Sequence, residues 1–442
     1  MTKPNLERVL GLKEATALNM IDMVGIGPFV VIPLVISMMG GGNALLAWLL
    51  GALIAFIDAF TWSELGAKYP HAGGSYNFLR ETYSGTQLGK LLPFLFIWQT
   101  IIQAPLVVAS GSIGFSQYLT FIIPLSPYEQ KAVSGGLVLI LTFLLYRKIN
   151  TIGKISIALW VGVIGAIGWI IISGATHFNT AMFLHSFHAP ASLSKFPFGS
   201  LGEASVQTIY CYLGYYNVCH LGGEIKKPGE IIPKSMFISI IGIALLYLAM
   251  NISVLGVVPA HTAKNSKFII SEFMQIIYGK NIALFATGLT LWIAFASLFA
   301  VMLGYSRIPY AAALDGNFFK IFARLHPKKN FPHISLLFLA AIAFVFSLLF
   351  KLKEVIFAIV AMRIIVQFIG QTIGLILLHK KEGGPYTFPY RMPFYPLPAI
   401  LSISLWAIVF FSTGIIFIVS GIAAITAGIA VYAARNYWVK PN

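Results

Sequence analysis

Two apolar stretches of the chain combine glycines with residues that could bind a charged ligand. One is the segment 22–28, with the sequence Asp-Met-Val-Gly-Ile-Gly-Pro, and the other is the segment 210–214, with the sequence Tyr-Cys-Tyr-Leu-Gly. Glycine destabilises a helix interior and lets the backbone open. An opened helix presents unpaired N–H and C=O groups, which can bind a ligand. We therefore predict a helix break with a binding site at each stretch.

The two breaks predict complementary chemistry. At the first, the N–H groups that follow Gly25 form the positive end of a half-helix, which suits a carboxylate. At the second, freed carbonyls suit an ammonium group, so the pair predicts a site for a zwitterionic amino acid. Each glycine motif alone could equally serve close helix packing, but the occurrence of both favours the site. The predicted substrate-binding residues are Gly25, Ile26, Gly27, Tyr210, Cys211, Tyr212, Leu213 and Gly214.

Several other side chains are candidates for gating or coupling. Tyr210 is predicted to form a lid over the substrate. Asp22 either meets an amine or carries a proton, or it lies in water at the inner mouth, and Arg363 either extends outward to water or lines the outer vestibule. Asp58 lies near the inner end of its span, so we expect it to be solvated. Ser297 is a weaker polar candidate.

The elements that must position these residues are membrane helices. The chain has 442 residues, of which 58% are hydrophobic and only 10% are charged. Residues 23–57, 91–128, 155–194 and 392–434 contain no Asp, Glu, Lys or Arg, and each stretch exceeds the roughly 20 residues that span a bilayer. This composition indicates a polytopic membrane protein and excludes a soluble enzyme. No nucleophile and base are arranged for catalysis, so no enzymatic activity is expected.

The net charge of +16 could suggest a nucleic acid partner, but its distribution argues against one. With about twelve spans and a cytoplasmic start, 22 of the 30 Lys and Arg residues fall in cytoplasmic segments. This positive-inside bias predicts a multi-pass protein of the plasma membrane, the inner membrane in a bacterium, with both termini cytoplasmic. Two cysteines in one span predict no disulfide framework, and the nine histidines show no metal-ligand spacing. No metal, cofactor or obligatory protein partner is expected.

The predicted fold is all-α, with twelve transmembrane helices. The broken spans are the first and the sixth, five apart, which is typical of an inverted repeat that binds its substrate at the repeat interface. We expect a cytoplasmic tail at 1–14, a first repeat at 15–174 and an outer loop at 175–200. The second repeat follows at 201–380, two appended helices at 381–434, and a cytoplasmic tail at 435–442. A short amphipathic helix is expected within 259–280.

The chain resembles the amino acid–polyamine–organocation (APC) superfamily of transporters, in particular its amino acid permeases. The sixth span and the loop after it are similar to the superfamily pattern at Tyr210, Tyr212, Gly214, Tyr215, Glu224, Pro228 and Pro233. Three further stretches resemble superfamily signatures: 63–81 between spans 2 and 3, 306–333 between spans 8 and 9, and 389–396 before span 11. The match covers nearly the whole chain.

The resemblance implies the five-plus-five inverted-repeat fold, alternating access, and Tyr210 as the aromatic gate. The chain departs from the usual pattern at Pro28, where an apolar residue is common, and at Tyr216, where an acid or amide is common. Ser297 is one candidate hydroxyl for a sodium ion. Coupling to protons, to sodium or to exchange stays open.

Three functional hypotheses follow. The first is a secondary active transporter, working as a symporter or an antiporter, of L-amino acids with neutral side chains. The second is a transporter of polyamines or other cationic amines in the same superfamily, which would need acids in the pocket, and only Asp22 qualifies. The third is a sensor, or a subunit that requires a partner protein, which no long cytoplasmic segment supports.

Overall fold

The computed structural model describes residues 6–187, 198–349, 360–382 and 388–438, and this part of the chain is built from helices. Its two β-bridges, between Leu10 and Ile225 and between Ala72 and Leu221, are isolated. The first ten helices are α1 Leu12–Met23, α2 Gly27–Met39, α3 Ala44–Lys68, α4 Ser75–Thr82, α5 Leu88–Leu119, α6 Pro127–Leu145, α7 Ile149–Thr176, α8 Thr180–His185, α9 Phe198–Tyr212 and α10 Asn217–His220. The others are α11 Pro228–Val257, α12 Ala260–Ala263, α13 Ile269–Tyr278, α14 Lys280–Tyr305, α15 Arg307–Leu314, α16 His333–Leu349, α17 Val360–Lys381, α18 Leu397–Ser412 and α19 Ile415–Trp438.

Many of these helices are long and apolar enough to cross a membrane. Eight described helices meet that criterion by length and composition, or nine if the bent pair α1 and α2 counts as one span. Helices α13, α16 and α18 are apolar but shorter. An all-helical, multi-pass membrane protein is therefore confirmed as the fold class. The number of twelve spans and the inverted repeat stay predictions.

The first predicted break is present between α1 and α2. Helix α1 ends at Met23 and α2 begins at Gly27, and the two axes differ by 46°. Pro28 occupies the first turn of α2, where its missing N–H removes no helical hydrogen bond. The proline therefore favours a new helix start at this point.

The second predicted break is present after α9. Helix α9 ends at Tyr212, and α10 begins at Asn217 and lasts four residues. Gly214 between them has a φ of +120°, a conformation that residues with a side chain rarely adopt. A short 3₁₀ turn at Gly222–Glu224 then leads into α11.

Helix α17 is irregular in its middle. The segment Ile364–Gly370 is π-helical and follows directly after Arg363. A π-helical segment inserts extra residues into a helical turn and often occurs at functional sites.

Several helix boundaries differ from the sequence-based expectation. Helix α6 begins at Pro127, where Ser126 and Glu129 form a capping box. The segment 175–200 contains α8 and the beginning of α9, and its residues 188–197 lie outside the described residues. Helix α19 extends to Trp438, into the segment predicted as the C-terminal tail. The short helix expected within 259–280 is confirmed as α13.

The N-terminal segment 6–11 is bound to the segment that precedes α11. The backbone N–H groups of Val9 and Leu10 donate to the carbonyl of Glu224, and Lys226 N–H donates to the carbonyl of Leu10. The Glu224 carboxylate in turn forms a buried ion pair of 2.8 Å with Arg307. The segment before α1 is therefore an ordered part of the fold.

Candidate functional site

The two helix breaks lie directly against each other. A Cβ placed on Gly214 would lie 2.9 Å from the backbone carbonyl carbon of Asp22 and 2.9 Å from the nitrogen of Met23. Because those atoms are backbone, they could not move aside as a flexible side chain could. The absence of a side chain at Gly214 is thus what allows the breaks to meet.

A tyrosine that the sequence analysis did not identify holds the breaks together. The Tyr247 hydroxyl lies 2.8 Å from the carbonyl of Met23 and 3.1 Å from the carbonyl of Cys211, as donor to both. Tyr247 is buried on α11. Carbonyls near Tyr210 to Leu213 were expected to be unpaired, but the Cys211 carbonyl accepts from Tyr247 and the Tyr210 carbonyl accepts from the Leu213 N–H at 3.3 Å.

One cavity lies at the meeting point of the breaks. Nearly all the predicted residues line it, on α1, α2, α9, α14 and α17 and in the turns between them. They are Asp22, Gly25, Ile26, Gly27, Tyr210, Cys211, Leu213, Gly214, Ser297 and Arg363. Tyr212 points elsewhere, with its ring centroid 6.3 Å from that of Trp48 and 5.2 Å from that of Tyr247. Among the residues that the sequence analysis predicted for the site, Tyr212 is the one that does not line this cavity.

The glycines of the first break lie close to side chains across the cavity. A Cβ on Gly27 would be 3.2 Å from the Tyr210 ring, and one on Gly25 would be 2.8 Å from the Ser297 hydroxyl. Ser297 Oγ donates to the Asp22 carbonyl at 3.2 Å. A larger residue at either glycine would therefore fill space at the start of α2, where backbone N–H groups can bind an anion.

Tyr210 lies over the first break. Its hydroxyl is 3.3 Å from that of Ser110 on α5, and its ring faces Gly27. Tyr210 is only partly buried. This position agrees with a lid, although the lid itself stays a prediction.

Arg363 lines this cavity. Its side chain is 4% exposed, and its guanidinium donates to the Tyr216 hydroxyl. The guanidinium carbon lies 5.6 Å from the ring centroid of Tyr216 and 5.1 Å from that of Tyr305. Cation–π attraction stabilises the charge in this position. Asp22 lines the same cavity.

Asp58 is buried, and the expectation that it would be solvated was wrong. Its carboxylate accepts hydrogen bonds of 2.8 Å from Trp62 Nε1 and Ser402 Oγ, and a further one from the Tyr215 hydroxyl. Tyr215 and Ser402 are 157 and 344 residues away in sequence, so no local pattern could reveal these donors. Asp58 does not line the cavity at the breaks and ties α3 to α18.

No group of three or more His, Cys, Asp or Glu side chains is placed to hold a metal ion among the described residues. Cys211 and Cys219 are both free and buried.

Comparison with known proteins agrees with the geometry. A family model described as amino acid permease matches residues 10–434. The chain is 26% identical to the serine/threonine exchanger SteT of Bacillus subtilis (strain 168), over 90% of this chain and 89% of that protein. It is 22% identical to the branched-chain amino acid permease BcaP of the same organism, over 86% and 82% of the two chains. It is also 24% identical to the glutamate/serine transporter AimA of that organism, over 80% and 68%.

These relatives are exchangers, permeases and transporters, which confirms the expectation that the chain is not an enzyme. The family match covers every residue that carries the resemblance noted in the sequence, including both helix breaks. The chain belongs to the amino acid permease family of the APC superfamily.

Proposed function

We propose that the protein is a secondary active transporter that moves L-amino acids with neutral side chains across the plasma membrane by alternating access. One observation carries this proposal: two broken helices from distant parts of the chain meet at a single cavity. Broken membrane helices with their ends facing a cavity are typical of transporter substrate sites.

The proposed pose follows the polarity of the helix ends. The substrate carboxylate binds the N–H groups of Gly25, Ile26 and Gly27, where α2 begins. The amino group faces the opposite side, formed by the Asp22 carboxylate and the backbone of residues 210–213. The Cys211 carbonyl already accepts a hydrogen bond from Tyr247. The Asp22 carboxylate therefore contributes more to the binding of the amino group than the sequence analysis predicted. Tyr210 closes over the bound substrate.

Neutral side chains are favoured by the composition of the cavity wall. Val107, Leu298 and Val301 supply apolar surface, and the two charged side chains in the lining, Asp22 and Arg363, are of opposite sign. The names of SteT and BcaP are consistent with neutral substrates. Arg363 opposes a polyamine, since it would place a cation beside a cation.

The same proposal extends to the architecture. The proposed architecture has twelve spans, a five-plus-five inverted repeat and two cytoplasmic termini. It is compatible with the described helices and with the positive-inside bias. We propose that the chain transports without an obligatory protein partner. Proton, sodium and exchange coupling are alternatives within this function.

The test is thermal stabilisation of the purified full-length chain by each of the twenty L-amino acids and by putrescine and spermidine. A ligand that binds only the folded state adds about 2.7 kcal/mol of stability at a hundredfold excess over its dissociation constant. We expect stabilisation by a subset of neutral L-amino acids, and uptake of the same compounds into proteoliposomes. Stabilisation by polyamines alone would refute the proposal.

A variant of the first break localises the effect. Gly27→Leu should abolish stabilisation by ligand, because its side chain would meet Tyr210. Gly288→Leu is the matched control, since nothing lies within 4 Å of a Cβ at that exposed position on α14. Intact uptake by Gly27→Leu would refute the proposed pose.

A further inference from the structure

We infer that Arg363 determines which substrates the cavity accepts, and that it binds an acceptor oxygen, a hydroxyl or a carboxamide, on the side chain of a neutral amino acid. This inference rests on the proposed function and narrows its substrate class.

Arg363 has unused hydrogen-bonding capacity inside the cavity. A guanidinium carries five N–H donors, and its hydrogen bond in the described part of the chain goes to the Tyr216 hydroxyl. Its Nε is buried and has no partner among the described residues. A buried donor without a partner costs stability, and the remaining N–H groups of the guanidinium can donate to an oxygen of a substrate in the cavity that Arg363 lines.

The position of Arg363 in the fold assigns it to one end of the substrate. In the proposed pose the carboxylate and the amino group are bound by α1, α2 and α9. Arg363 belongs to α17, a different helix, and its guanidinium is held between the rings of Tyr216 and Tyr305. It therefore faces the remaining substituent of the amino acid, which is the side chain. The segment that follows Arg363 is π-helical, so the side chains in this part of α17 do not have the spacing of a regular α-helix.

Charge decides which oxygen-bearing side chains fit. Asp22 and Arg363 line the same cavity and form no ion pair within 4 Å in the described residues. The Asp22 carboxylate and the Arg363 guanidinium have opposite charges, and a zwitterionic substrate has no net charge. The occupied site therefore has no net formal charge. An acidic side chain would add an uncompensated negative charge to a buried site, which is costly. An aliphatic side chain would leave the Arg363 donors unpaired.

Two substrates of nearly the same shape separate these cases. L-Threonine has a hydroxyl where L-valine has a methyl group, so their ratio of dissociation constants measures the value of the oxygen. A hydrogen bond to a charged group contributes about 1.5–3 kcal/mol, which corresponds to a ratio of roughly 10- to 100-fold in favour of threonine. A site built around such a bond rejects an analogue that lacks it.

The experiment measures dissociation constants for L-threonine, L-valine and L-glutamate with the purified full-length chain and three variants. We expect threonine to bind about 10- to 100-fold more tightly than valine, and glutamate to bind more weakly than threonine. Arg363→Met should bring the threonine-to-valine ratio close to one while valine still binds, which shows that the variant is folded. Arg324→Met, an exposed arginine outside the cavity, should leave the ratio unchanged.

If Arg363→Met does not fold, Tyr216→Phe tests the same idea, because it removes the hydroxyl that holds the guanidinium and keeps the ring. That variant should lower the ratio several-fold. Equal binding of threonine and valine by the unmodified chain would overturn the inference but leave the proposed function intact. Tighter binding of glutamate than of threonine would also overturn it, since Arg363 would then bind an anion. If no L-amino acid binds, the proposed function itself fails.

Discussion

The contact between the two breaks makes Gly214→Ala the most informative single substitution. The added methyl group would meet the backbone of Asp22 and Met23 at 2.9 Å, closer than carbon atoms approach without strain. In addition, alanine would have to adopt the φ of +120° that glycine adopts here. Both effects push α9 away from α1, so we expect a less stable protein that no longer binds substrate.

The magnitude follows from two contributions. A residue with a side chain in a left-handed conformation costs about 1–2 kcal/mol, and an overpacked buried position costs about 1–3 kcal/mol. Their sum, about 2–5 kcal/mol, lowers the ratio of folded to unfolded protein by a factor of roughly 30 to 5,000. That is a large fraction of the stability of a typical protein.

The assay is reversible unfolding in detergent micelles, together with a binding measurement for the substrate that stabilises the unmodified chain. Gly288→Ala is the control, because a Cβ there has no neighbour within 4 Å and alanine favours a helix over glycine by up to about 1 kcal/mol. The control should be as stable as the original chain or slightly more stable. If Gly214→Ala matched the control in stability and in binding, the two breaks would not depend on this contact.

Three further substitutions test other contacts. Tyr247→Phe removes the hydroxyl that bridges the two breaks and should cost about 1–3 kcal/mol and weaken substrate binding; unchanged binding would contradict the bridge. Arg307→Met leaves the buried carboxylate of Glu224 without its partner and should lower the free energy of unfolding by about 3–5 kcal/mol. Adding Glu224→Gln to that variant should recover part of the loss, and no recovery would contradict the pairing. Asp58→Asn should cost about 1–3 kcal/mol, because an amide cannot accept from all three donors, whereas an unaltered unfolding free energy would show that the carboxylate is not essential there.

The positions of the two breaks could be predicted because their cause is local. Glycines and a proline in otherwise apolar segments interrupt a helix wherever the rest of the chain lies. Gly25, Gly27 and Gly214 therefore appeared as site residues from the sequence alone, and the structure brings them to one cavity.

The surroundings of the breaks could not be predicted in the same way, because they depend on contacts between distant residues. Tyr247 is an ordinary tyrosine in an apolar helix until the fold places it at both broken ends. Arg363 has no acid near it in sequence, and only the fold shows its neighbours Tyr216 and Tyr305. Asp58 was expected in water because it lies near a helix end, and the fold covers it with α18.

The hydrogen bond between Ser402 and Asp58 bears on how the chain can be divided. In the predicted fold, α18 and α19 are the two helices appended after the repeats. That scheme alone predicts that both could be removed without disturbing the repeats. Yet α18 also stacks Trp406 on Phe368, with ring centroids 3.9 Å apart, whereas the span from Ile415 to Ala434 is only 11% buried. Helix α19 nevertheless accepts a hydrogen bond of 3.0 Å from Trp98 Nε1 at the Ala424 carbonyl. We therefore expect a truncation after Ser412 to remove that contact, and one before Leu397 to remove the Ser402 donor of the buried Asp58 as well. Helix α18 is therefore part of the packed interior, although the predicted repeats end before it.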